Sequence, residues 1–144
     1  MRITTLLLLT VSIVLPVQAA GVFVQPAMVL SVPLGRVHSA CGDEGDFDAC
    51  TQFVAYRLDA RCDGPRLHAS VTFRPVIFLH NADRLTHERM HIDDIRTYAA
   101  EYALQLEAST FDSDGQCSDA ARQAIDGFGE KMHDFARRSM AHIH

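Results

Sequence analysis

The spacing of apolar residues changes along this chain, and each change marks an element. Val22 to Val32 is apolar and rich in β-branched residues but interrupted by Pro26, which predicts one strand or a bent pair of short strands. Gly35 to Cys50 has no period and predicts a loop. Its acids Asp43, Glu44, Asp46 and Asp48 lack the spacing of a calcium loop and read as solvated. Thr51 to Arg61 alternates, with Phe53, Val54, Tyr56 and, weakly, Ala55 supplying β-formers, and Cys62-Asp63-Gly64-Pro65 reads as a turn. From Leu67 onward the period is two: Leu67, Ala69, Val71 and Phe73 alternate with His68, Ser70, Thr72 and Arg74. That strand extends to Leu79, with Pro75 expected to end or bulge it. The two strands flanking Asp63-Gly64-Pro65 should form an antiparallel hairpin.

Beyond Asn81 the period becomes helical. Asn81 or Asp83 can cap a helix from about residue 83 to about residue 108. At about 100° per residue, Leu85, Ile92, Ile95, Ala99, Tyr102, Ala103 and Leu106 share one face. Glu88 falls in the middle of that face, where a carboxylate is costly to bury without a partner. Beside it runs a polar stripe of His87, His91, Asp94, Tyr98, Glu101 and Gln105. Ser109 to Gln116 is a loop. A second helix is predicted from Ser118 to about Met140, burying Ala121, Ile125, Phe128, Met132 and Phe135, with Gly127 and Gly129 permitting a bend. The short connection makes the two helices antiparallel. These elements predict an α+β fold: a small, mostly antiparallel sheet followed by two antiparallel helices.

The first residues stand apart from this pattern. Met1-Arg2, the apolar run Leu6 to Leu15, and Val17-Gln18-Ala19-Ala20 have the layout of a secretory signal, with cleavage acceptable after Ala19 or Ala20. Residues 1–20 are therefore assigned to a signal peptide and 21–144 to one domain, with no membrane span after cleavage. The net charge of −5 argues against nucleic acid or an anionic membrane as partner. Cys41, Cys50, Cys62 and Cys117 follow the signal, and an even count in an oxidising compartment predicts two disulfides. Of three possible pairings we favour Cys41–Cys50 with Cys62–Cys117. The expected location is secreted or periplasmic.

The candidate chemistry lies in His87-Glu88-Arg89-Met90-His91, an H-E-x-x-H inside the first predicted helix. Residues four apart lie one above the other, so both imidazoles reach one cation while the glutamate addresses the same spot. Placed at random, the 8 histidines of this chain would give such a pentapeptide roughly 0.015 times. The expected cofactor is Zn(2+), with His87 and His91 as ligands and Glu88 as the catalytic acid/base. Asp94, one turn beyond His91, and Tyr98 are candidates for supporting the ligands or a reacting oxygen. A catalytic zinc usually takes three protein ligands. Helical phase favours His142 as the third, with His133 and His144 as alternatives.

On the segment Leu85-Thr86-His87-Glu88-Arg89-Met90-His91, preceded by a β region and followed by a helix ending in histidine, the chain resembles the zincin group of metallopeptidases. More narrowly it resembles exported bacterial proteins of unknown function described as secreted zinc-dependent proteases. The resemblance implies a zincin-like fold, a peptide or protein substrate, and hydrolysis by a metal-activated water. It departs at the C-terminus: where a Tyr-Asp segment and Thr-x-His-Gly are expected, Phe135 to His144 offers only His142. The competing reading is a non-catalytic exported metal-binding or envelope-associated module that keeps the zinc pair. A disulfide-stapled domain without metal is the third.

Overall fold

A computed structural model of the chain describes residues 21–42 and 47–142, the side chain of His142 excepted. The signal-peptide assignment and the acids Asp43, Glu44 and Asp46 lie outside the described residues. Strand β4 (Arg66–Leu79) is the spine of a four-stranded sheet. Along one edge it pairs antiparallel with β3 (Ala49–Asp63), in register from Asp63↔Arg66 to Ala49↔Leu79. The connection is a two-residue turn. Gly64 has φ +59, and Pro65 holds φ negative, so this is the II′ turn whose twist suits a hairpin.

The other edge of β4 takes two short strands in tandem, β1 (Val22–Val24) against Val71–Phe73 and β2 (Met28–Ser31) against Val76–Leu79. Both are parallel to β4, so the sheet is mixed, and the expectation of a mostly antiparallel sheet is corrected. An apolar β-branched run specifies a buried strand but not its direction. Arg74 and Pro75 fall in the gap between the two short strands. Pro75, which has no N–H to give that edge, therefore neither ends nor bulges β4.

The bulge is in β3. Val54 pairs with Arg74 but Arg57 with Thr72, so Ala55 and Tyr56 together oppose Phe73, with Ala55 at φ +49. One extra residue swaps the faces of the strand. Before it, Thr51 and Phe53 point to the helix side, opposite Ile77 and Pro75. After it Leu58, Ala60 and Cys62 do, opposite Val71, Ala69 and Leu67. The buried row Leu67, Ala69, Val71, Phe73, Ile77 and Leu79 of β4 faces the same side.

Among the described residues four α-helices follow or interrupt the strands, where two were expected. Helix α1 (Leu34–Cys41) lies in the segment read as a loop. It has eight residues and buries only Val37 among them, too little to give a visible period. After a single 3-10 turn (Ala82–Arg84), α2 (Leu85–Glu107) crosses the sheet, burying Glu88, Ile95, Ala99 and Ala103. The helix predicted over 118–140 is divided at Gly127 into α3 (Asp114–Asp126) and α4 (Phe128–His142). Ser113 caps α3 by accepting the Gln116 N–H at 3.2 Å.

Helix α4 returns antiparallel along α2. Ser139 meets His91, the Phe135 ring lies 6.0 Å from Tyr98, and Phe128 stacks 6.2 Å from Tyr102. Burial among these rings pushes the Tyr102 phenol above its usual range. Two disulfides close the structure, Cys41–Cys50 joining α1 to β3 and Cys62–Cys117 joining β3 to α3. This is the pairing favoured from the sequence. Among the described residues no helix is long and apolar enough to cross a membrane.

Candidate metal centre

The first turns of α2 are set by a local cap. The Asn81 side chain accepts the Asp83 N–H at 3.0 Å, starting the 3-10 turn that feeds the helix. His87 and His91 then stand one turn apart, their ring centroids 5.1 Å from each other and the planes at 84°. One donor atom from each of His87, Glu88 and His91 lies within 4.8 Å of the others, close enough for a shared metal ion. Among the described residues this is the one such group of His, Cys, Asp and Glu.

Glu88 is 4% exposed, the buried carboxylate expected on the apolar face. Its burial is compensated from β3. Thr51 Oγ1 donates to Glu88 Oε2 at 2.7 Å and lies 3.3 Å from the Glu88 carbonyl oxygen. A hydroxyl carries one proton, so the shorter contact takes it. One carboxylate oxygen is thereby anchored by Thr51.

His91 is oriented from the opposite side by α4. Ser139, 1% exposed, donates its hydroxyl proton to Asp94 Oδ2 at 2.8 Å. A carboxylate only accepts, so the direction of that bond is fixed. The Ser139 oxygen then accepts from His91 Nδ1 at 2.8 Å. This order puts the ring proton on Nδ1 and the lone pair on Nε2, the tautomer that can ligate a metal through Nε2. Asp94 thus supports His91 through Ser139 rather than directly. Removing the relay with Ser139→Ala is expected to weaken metal affinity by about 10–100-fold. Competition with a chromophoric chelator measures it, and an affinity equal to wild type would show the relay to be idle.

The group opens into a cavity of about 150 Å3 between α2, α4 and the start of β3. His87, Glu88 and His91 form its polar end. Phe53, Met140 and the Cys41–Cys50 disulfide lie on its walls. The outer edge of β3 borders it at Ala49, Cys50 and Thr51, and among the described residues β3 is paired on one edge only.

The remaining candidates are distributed as follows. Tyr98 packs on Phe135 with the Arg138 guanidinium 4.0 Å over its ring, and is not among the residues lining the cavity. His142 is the last residue of α4, and its side chain, like His144, lies outside the described residues. His133 is exposed. Thr51 and Ser139 were not singled out from the sequence. Ser139 carried a legible signal, because it continues the buried stripe Phe128, Met132 and Phe135 and so is a polar residue in an apolar row.

The donor set of two imidazoles and a carboxylate suits a divalent transition-metal cation. No protein-family model, curated protein or solved structure matches this chain.

Proposed function

We propose that this chain is an exported zinc-dependent peptidase of zincin type, His87 and His91 holding the metal and Glu88 acting as acid/base. The observation that carries the reading is the buried Glu88, anchored by Thr51 at 2.7 Å and within 4.8 Å of both imidazole donors. A zinc ion held by His87 and His91 would supply a Lewis acid for the scissile carbonyl and would lower the pKa of water. The protein's own groups do the rest. Glu88 takes a proton from the attacking water and delivers it to the departing amine. Thr51 holds the carboxylate in one orientation through both transfers, and the Asp94–Ser139 pair keeps the His91 lone pair directed inward. The one-sided β3 beside the cavity offers backbone groups to an extended peptide, which would add as a further strand. Two disulfides fit an oxidising compartment, secreted or periplasmic.

One observation favours a second reading. The Glu88 carboxylate is itself close enough to serve as a metal ligand, and among the described residues it is the third donor. In that arrangement no base remains, and the protein is an exported metal-binding module. Wild type and Glu88→Gln, each assayed for metal content and for cleavage of an unbiased peptide mixture, separate the two.

A further inference from the structure

The sheet edge far from the metal centre carries a second arrangement. Strand β1 begins its ladder at Gly21, whose carbonyl oxygen accepts the Val71 N–H at 2.6 Å. Regular parallel pairing toward lower residue numbers would next engage the N–H of Ala69. That donor is already taken, since Glu107 Oε1, at the end of α2, accepts it at 3.0 Å. The carboxylate therefore stands where a continuing strand would lie.

Gly21 itself turns the chain off the strand direction, with φ +85. A side chain there would bring a Cβ to 2.9 Å from the Ala69 carbonyl oxygen and 3.3 Å from the Ala103 Cβ. The N–H and C=O of one strand residue face the same edge. Gly21, the Ala69 carbonyl and Glu107 accordingly meet in one cavity of about 620 Å3. Among the described residues no ion pair engages Glu107.

We propose that export processing cuts the Ala20–Gly21 bond and that the α-ammonium group so formed docks on the Glu107 carboxylate and the Ala69 carbonyl oxygen. The proposal rests on the exported reading of residues 1–20, not on the metal centre. The signal peptidase adds water across the amide: Ala20 keeps the carboxyl, and the Gly21 amine takes up a proton at neutral pH. Cleavage after Ala19 would place the charge one residue farther out, beyond the turn at Gly21. The uncut precursor has a neutral amide at this point, and among the described residues no ion pair engages Glu107, although Arg61 lines the same cavity. Maturation thus tightens the start of β1.

The chain has a single lysine, Lys131, which makes the test selective. In a Lys131→Arg background the α-amine is the one aliphatic amine of the mature protein. Intact mass of protein exported under its own signal should show a chain beginning at Gly21. Acetylation of that amine should then lower the thermal midpoint by about 2–4 °C, the size expected for an exposed ion pair. In Glu107→Gln, which keeps an acceptor for Ala69 and leaves only the Ala69 carbonyl oxygen for the ammonium, acetylation should lower the midpoint by less than half as much. A mature chain cut after Ala19, or an equal acetylation effect in both proteins, overturns the docking alone. A chain exported with residues 1–20 retained overturns, with it, the assignment of those residues to a cleaved signal.

Discussion

Glu88→Gln is expected to retain its metal and lose peptide hydrolysis by about three orders of magnitude, the range of a removed general base. The substitution is nearly isosteric. Its amide oxygen still accepts from Thr51, whose hydroxyl now holds Glu88 Oε2 at 2.7 Å, so the side chain keeps its place. What disappears is the basic carboxylate beside the imidazoles. Glu88 is 4% exposed, and replacing a buried carboxylate by a neutral amide does not threaten the fold. Loss of metal together with activity would identify Glu88 as a ligand and favour the binding module. Undiminished cleavage would remove the peptidase proposal.

The largest effect on stability is expected from the disulfides, and it should rank by loop size. Cys62–Cys117 spans 55 residues and Cys41–Cys50 spans 9. Chain-entropy arithmetic gives roughly 4 kcal/mol for the first and roughly 2.5 kcal/mol for the second. Packing adds to the difference. Cys117 is fully buried in the main core with Leu58, Leu67 and Phe73, and Cys62 packs against it. Alanine replaces each pair without burying a hydroxyl. Denaturant unfolding of the two double variants should show Cys62→Ala/Cys117→Ala as the weaker protein. The reverse order would mean that the 9-residue link does more than close a loop, as its position on the wall of the metal cavity allows.

What could be read from residues alone was whatever local periodicity determines. The alternation of Leu67 to Phe73 against His68 to Arg74 is the β4 of the structure, and the apolar face around Ile95 and Ala99 is the buried face of α2. Glu88 was legible for the same reason, as an acid in an apolar stripe. Strand direction was not, because Val22–Val32 packs its side chains similarly in a parallel or an antiparallel pair. The alternation over Thr51 to Arg61 does not by itself assign the faces of β3, since residues on either side of the bulge at Ala55 obey opposite parity. Helix α1 was too short to show a period, and the break at Gly127 depends on how α4 turns to meet α2. The support of His91 was half legible. Asp94 lies one turn along the same helix, but its link to the ring, Ser139, comes from a helix 45 residues later.

The central claim is that His87 and His91 jointly hold a metal ion beside Glu88. The most direct test is the metal-to-protein ratio of folded, oxidised protein equilibrated with zinc and desalted, measured by elemental mass spectrometry. The account predicts one zinc per wild-type chain and almost none in His87→Ala or His91→Ala. A folded wild type that emerges without zinc, or histidine variants that retain as much as wild type, would contradict it.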